Sequence, residues 1–308
     1  MVIRRSEKSI EAVCANVSDY LNAVFALPAA KATRCYRGQV NKAWRPEPSV
    51  LRGMAKDAEP AVISELMLES PEDFSGDSSM FDRLVRAQHY SLPTRLLDVS
   101  LNPLVGLFFA CYDRDTTLLA QDGQVFALDF ADDRVKYADS DAIAMICNLA
   151  RLKDAEKDEI RSLAREALNK PTNEKHAAAF LNCASMQRLF QFVQMEKPYF
   201  QLKAKAHDFQ KYFFIMPNKN NRRIIAQSGA FVAAGLLGFS RMQSSIAIKV
   251  SKFLIPAQSK IDILHQLDAL NINSRTMFPE IENVAHYIKQ RWQVPKRPAS
   301  DDAVDELI

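Results

Sequence analysis

Apolar side chains at Ile10, Val13, Val17, Leu21 and Ala23 to Phe25 recur at close to the 3.6-residue period, which predicts an amphipathic helix over residues 7 to 26 that stops before Pro28. Thr33 to Val40 is short and carries Gly38 near its end, as suits a strand whose backbone must allow a close approach or an unusual dihedral. From Ser49 to Leu68 a connector runs into a helix with Pro60 in its first turn. Ser70 to Asp77 reads as a loop, and Ser78 is expected to cap the next helix, where Phe81, Leu84, Val85 and Gln88 follow i, i+3, i+4, i+7 spacing. Leu92-Pro93 ends that helix and Thr94 to Val99 is extended. Asn102-Pro103 then opens another helix with a capping amide and proline at the first position, its face formed by Leu104, Leu107, Phe108 and Cys111.

Gly123 to Phe130 is a strand by its apolar run and flanking punctuation. From about 131 to 207 the pattern is helical, with a charged run at Lys153 to Glu159 and no glycine, and reads as an insertion. Phe213 to Pro217 ends a strand, Asn218 to Asn221 is a polar loop, and Arg223 to Phe231 reads as a strand interrupted at Gly229. Ile246 to Leu254 alternates as a further strand, and Ser259 to Leu270 and Pro279 to Trp292 form two closing helices. The order predicts an α/β (α+β) chain on a mixed or antiparallel sheet. Its expected organisation is an N-terminal helix over 1–30, one domain over 31–292 with a helical insertion at about 131–207, and a flexible acidic tail over 293–308.

A chain of 308 residues with 48% hydrophobic content can bury a sizeable core. Forty Lys and Arg against 37 Asp and Glu give a net charge of +3, which leaves no global polyanion footprint but allows a local basic patch. The five cysteines, Cys14, Cys35, Cys111, Cys147 and Cys183, are scattered and form no CxxC pair, as in a reducing compartment. No apolar run approaches the roughly 18 residues needed to span a bilayer, so a soluble cytoplasmic protein without a membrane partner is expected. GxGxxG, a GK[ST] phosphate loop and HExxH are all missing from the sequence, and the histidines lack ligand spacing, so no metal is expected.

The chemistry concentrates in two strings. In Cys35-Tyr36-Arg37-Gly38-Gln39, a planar fork of donors at a strand end can hold a phosphate or carboxylate in two hydrogen bonds, and the glycine lets a ligand approach the backbone. An ion pair of Arg37 with Asp98 is the structural alternative. In Ala87-Gln88-His89-Tyr90-Ser91-Leu92-Pro93-Thr94-Arg95-Leu96-Leu97-Asp98, Gln88 and His89 end a helix beside the extended Thr94-Arg95 segment, so both can face one cleft. His89 suits a general acid or base near neutral pH, or a helix-end dipole partner. Thr94 and Asp98 share a face of an extended chain while Arg95 points away, which gives either a ligand face or an Arg95 to Asp98 corner. Arg223 and Gln227, four apart, share a strand face, and Arg37, Arg95 and Arg223 would attract an anion if they converged.

The Tyr36-Arg37-Gly38-Gln39 string, with Trp44, Pro48 and Ser49 after it, and the run from Ala87 through Asp98 to Asn102-Pro103 and Phe108-Phe109-Ala110 together resemble the FRG domain family. Asn221 to Phe231 and Phe278-Pro279-Glu280-Ile281-Glu282 look like its C-terminal half, so the resemblance covers roughly residues 30 to 290. The element order is also similar to that of mono-ADP-ribosyltransferases, with Tyr36-Arg37-Gly38, the Thr94 to Ser100 segment and Phe109-Ala110 in corresponding places. That likeness implies NAD as the bound nucleotide, Arg37 on its phosphate or carboxamide and Thr94 on its ribose. It fails where the transferase pattern has a glutamate, because Arg223 stands there and an arginine cannot stabilise a neighbouring oxocarbenium charge. On this likeness the chemistry has either moved to another acid, with Asp98 the first candidate, or been lost.

These readings give candidate catalytic residues Asp98 and His89 and candidate ligand-binding residues Arg37, Gly38, Gln39, Gln88, Thr94, Arg95, Arg223 and Gln227. The expected function is handling of a nucleotide or nucleotide-like ligand, with ADP-ribosyl or glycosyl transfer as its reaction. Two alternatives stay open: a sensor or protein-interaction module in which the same residues brace the fold, and a nucleic-acid-directed effector using Tyr36, Trp44 and Tyr90 for stacking.

Overall fold

The computed structural model describes residues 12–292 apart from 115, 170–173, 202, 220 and 237–246. In chain order the elements are β1 (Ala12–Val13), α1 (Val17–Phe25), β2 (Thr33–Gln39), α2 (Ala58–Glu69), α3 (Met80–His89), β3 (Leu96–Ser100), α4 (Pro103–Cys111), β4 (Gly123–Phe130) and β5 (Val135–Tyr137). They continue with α5 (Asp141–Asn148), α6 (Asp154–Asn169), α7 (Glu174–Asn182), α8 (Ala184–Glu196), β6 (Tyr212–Met216), α9 (Arg222–Ala226) and β7 (Gly229–Ala234). The chain closes with β8 (Ile248–Ile255), α10 (Lys260–Ala269), α11 (Ser274–Met277) and α12 (Ile281–Trp292). The strands form one mixed sheet in the order β1-β8-β4-β2-β3-β7-β6-β5, parallel only at the two outer pairs β1/β8 and β5/β6. The α/β class is as the sequence predicts.

Three local expectations are corrected and one element is added. The first helix starts at Val17, because the Asn16 side chain accepts from Asp19 N at 2.8 Å and caps it there, while Ala12 and Val13 pair with β8. Ser79, not Ser78, caps α3, in a reciprocal capping box with Asp82. Arg223 lies in helix α9 rather than a strand, because the Asn221 side chain accepts from Arg223 N at 2.8 Å and starts a helical turn that ends at Ala226. Residues 274–277 form a short helix for which the sequence reading gave no element. The predicted acidic tail lies outside the described residues, as does the start of the predicted N-terminal helix.

The sheet is continuous only in a weak sense at its centre. β2 pairs with β4 over seven residues and β3 with β7 over five, but β2 and β3 meet through the single pair Tyr36 and Ser100. Beyond that seam the two halves turn their apolar faces on one another. Cys35, Phe126, Leu128 and Val250 of one half pack with Leu97, Val99, Phe214 and Val232 of the other, with Phe130 and Phe214 ring centroids 5.7 Å apart. The outer faces are covered by α1, α4 and α10 on one side, and by α2, α3 and α5 to α8 on the other.

Helix α4 lies so close to β2 that Cβ atoms cannot fit between them. A Cβ on Gly38 would lie 2.6 Å from Ala110 N and 2.8 Å from Phe109 C, and closer still to the Gly106 carbonyl, while a Cβ on Gly106 would lie 2.8 Å from Tyr36 Cβ. The glycine of the Tyr-Arg-Gly string therefore admits a helix, where the sequence suggested the approach of a ligand. On the other side, the buried Glu59 of α2 takes the Arg95 guanidinium in two hydrogen bonds, at 2.8 and 2.6 Å, and Lys157 Nζ of α6 at 2.7 Å. Asp57 and Asp154 exchange backbone-to-carboxylate bonds beside it, at 2.9 and 2.6 Å, tying the starts of α2 and α6 together.

Burial pushes the Glu59 carboxyl up, but Arg95 and Lys157 outweigh it and hold it below its ordinary value of 4.5. A carboxyl depressed in the folded state contributes stability above its unfolded pKa and loses it as pH falls through the carboxylate range toward the folded value. Glu59→Gln, which strands two buried cations, is expected to cost about 3–5 kcal/mol in urea unfolding at neutral pH and to flatten the fall in stability below about pH 4.5. Gly38→Ala is expected to cost at least the roughly 1–3 kcal/mol of an overpacked core, because the obstructing atoms are backbone.

Candidate functional site

Where β2 and β3 part, a cavity of about 150 Å³ opens between them. Tyr36 and Gly38 on one face of β2 and Arg37 on the other all border it. Tyr36 and Gly38 turn toward α4, and Arg37 reaches across the gap, donating from Nη1 to the Asp98 backbone carbonyl at 2.9 Å, with the Asp98 carboxylate at 3.9 Å. Arg37 Nε is shielded from solvent and has no hydrogen-bond partner. Burial draws the guanidinium below its ordinary 12.5, Asp98 opposes this, and nearby Arg52 adds to it. An arginine starts so high that it keeps its charge at neutral pH. One buried donor, Nε, is thus unsatisfied on a cation whose side chain is about a quarter exposed.

Helix α3 brings Gln88 and His89 to the opposite wall. The Thr94 hydroxyl donates to Gln88 Oε1 while its oxygen accepts from Leu96 N at 3.1 Å, so Thr94 anchors Gln88 from behind and does not line the cavity. His89 Nε2 lies 2.8 Å from Glu280 Oε1, and its ring stacks on Tyr90 with centroids 5.2 Å apart. Burial pushes Glu280 up, but the bond from His89, its own backbone and the charge of Arg223 together hold it below the ordinary carboxylate value.

The third wall comes from α9 and the residues after it. Ser100 Oγ donates to Gln227 O at 2.7 Å and Leu101 N to Ser228 O at 2.9 Å, which fixes the end of β3 against the turn between α9 and β7. Arg223 sits over the Phe278 ring at 4.8 Å, and Gln227 Nε2 donates to Met277 O at 2.9 Å, so α11 and the residues leading into α12 back this wall. Tyr36, Phe109 and Phe231 supply the apolar lining.

Of the ten residues singled out from the sequence, Arg37, Gly38, Gln88, His89, Asp98, Arg223 and Gln227 line this one cavity. Three do not. Gln39 is buried and donates from Nε2 to Arg45 O at 3.0 Å, holding the chain after β2. Thr94 stands behind Gln88. Arg95, expected to join Arg37 and Arg223, is locked by Glu59 and donates from Nη1 to Ala234 O at 3.0 Å; it makes no corner with Asp98 either. The arginine cluster is therefore a pair. That Glu280 is the partner of His89 is not legible in the sequence, since a contact across 191 residues leaves no trace in local spacing.

Residues 32–117 match the family model of the FRG domain. No curated protein and no solved structure matches the chain. The matched segment contributes Arg37, Gln88, His89 and Asp98 to the cavity, whereas Arg223, Gln227 and the Glu280 partner of His89 come from beyond it. No described helix is long and apolar enough to cross a membrane.

The side chains of His89 and Asp98 are about a quarter and about half exposed, so their ion pairs are screened and of the kind worth about 0–1 kcal/mol. His89→Ala and Asp98→Asn are accordingly expected to leave the melting temperature within about 2 °C of the native protein. Arg95→Ala should lower it by several times that, because it leaves Glu59 buried with one partner fewer. Thermal unfolding followed by circular dichroism checks this division between cavity and framework.

Proposed function

We propose that the cavity between β2 and β3 binds a nucleotide or nucleotide-like ligand, with Arg37 on its phosphate. The observation that carries this reading is the unsatisfied Nε of Arg37 in a cavity that also holds Arg223. A buried guanidinium donor without a partner is costly, and an oxyanion supplies what it lacks with a charge-assisted bond. Tyr36, Phe109 and Phe231 offer apolar surface to a ring, and the amides of Gln88 and Gln227 offer donors and acceptors to its edge.

Asp98 is the carboxylate lining this cavity, and a carboxylate beside a bound ribose would stabilise an oxocarbenium-like charge at its anomeric carbon. That supports N-glycosyl cleavage or transfer from a ligand such as NAD, with His89, oriented by Glu280, as the acid or base. The likeness to mono-ADP-ribosyltransferases adds the order of short strings and elements, and no more. A bracing role is favoured by one contact, the bond from Arg37 to the Asp98 carbonyl across the parted strands.

Melting curves with NAD, ADP-ribose, ATP and GTP separate these readings. Saturation at a hundred times Kd stabilises a native state by about 2.7 kcal/mol, which corresponds to roughly 5 °C or more for a chain of this size. One nucleotide is expected to give this shift and to lose it in Arg37→Ala, with NAD breakdown followed by chromatography falling in Asp98→Ala. No shift from any nucleotide, together with early melting of Arg37→Ala, would assign these residues to bracing alone.

A further inference from the structure

A second cavity of about 190 Å³ lies on the other side of Arg37, Gln88 and Asp98, which line both. Its own walls are of a different kind. They carry Ser49, Arg52 and Ser91 beside Leu92, Leu96 and Leu97, and lack the aromatic rings of the first. The turn that bears Ser49 and Arg52 is fastened to the strand region, since Val50 N donates to Thr94 O at 3.2 Å and Thr94 N to Ser49 Oγ at 3.2 Å. Ser49 Oγ accepts that bond and keeps its own proton to donate. Arg52 makes no ion pair among the described residues, and its charge bears on Arg37 across the cavity.

Ser91 adds an independent sign. Helix α3 ends in a Schellman motif, with Leu92 N donating to Ala87 O at 3.0 Å and Ser91 N to Gln88 O at 2.9 Å. The residue in the left-handed position is Ser91, with φ of 66°, where glycine is the unstrained choice. The chain holds a serine there at a cost in backbone strain, and the serine borders the cavity.

We propose that this second cavity is a subsite for a further phosphate, so that the ligand is a pyrophosphate-bearing dinucleotide with one phosphate on Arg37 and the next between Arg52, Ser49 and Ser91. The proposal rests on the nucleotide reading of the first cavity and extends it across Arg37. A shared arginine between two pockets is the geometry that a diphosphate linkage requires, because its two phosphoryl groups are joined through one oxygen and cannot separate further. The polar second pocket receives the charge and the aromatic first pocket the ring.

Calorimetric titration with nicotinamide mononucleotide and NAD tests it, since the pair shares one half and differs in the second phosphate and its adenosine. Arg52→Ala is expected to weaken NAD about tenfold, the scale of one charge-assisted contact, and to move the mononucleotide less than about twofold, with Arg52→Lys recovering part of the loss. Arg52 is exposed, so the variant should fold as the native chain does. Ser91→Gly should melt higher than the native protein and yet bind NAD more weakly, which a purely structural serine would not do. NAD binding that needs Arg37 but is unmoved by Arg52→Ala would overturn the subsite and spare the first cavity. Absence of any binding by either nucleotide would overturn both.

Discussion

The architecture turns on the place where β2 and β3 fail to stay paired. A single residue pair holds the strands together, and past it the sheet divides into two halves whose apolar faces pack on each other. Parting strands strand backbone polar groups, and buried ones must find partners. Arg37 meets part of that demand by donating to the Asp98 carbonyl. The same reach brings a permanent cation, with one donor unused, into a cavity that exists because the strands diverged. Bracing and the proposed ligand binding are thus compatible uses of one placement: Nη1 serves the backbone and Nε has no partner.

The walls of that cavity are positioned by features that look unrelated in the chain. The Tyr-Arg-Gly string has a division of labour, in which Tyr36 and Gly38 accept α4 at backbone distance and Arg37, on the other face, crosses the seam. The α4 contact fixes β2 against a rigid neighbour, and the Ser100 to Gln227 bond fixes the end of β3 against α9. Behind them, the Glu59, Arg95 and Lys157 cluster joins the segment from β2 to α4 to the helices between β5 and β6. Two cations on one buried carboxylate make a network that tolerates no missing member, which suits a framework and not a site that must open for a ligand.

Charge in the cavity is balanced and segregated. Arg37 lies against Asp98, and Arg223 against Phe278 and near Glu280, while Glu280 is engaged by His89. The net charge of +3 on the whole chain gives no hint of this, since the local arrangement and not the sum decides recognition.

The sequence by itself determined most of the elements and their class. Helix α4 from Asn102-Pro103, strand β4 from Gly123 to Phe130 and strand β2 from Thr33 stand where local caps, periodicity and punctuation put them, because those signals act over a few residues. Of the ten residues it singled out, seven line the cavity, chiefly those in two compact strings whose neighbours in space are neighbours in sequence. It misread Arg223 to Gln227 as a strand, since an apolar run of that length fits either period and only the Asn221 cap decides. The tertiary structure alone decided that Arg95 turns away to Glu59, that Gly38 meets a helix, and that Glu280 holds His89. Each depends on a partner tens to hundreds of residues distant, and which distant residue arrives is a property of how the elements pack, which no local pattern encodes.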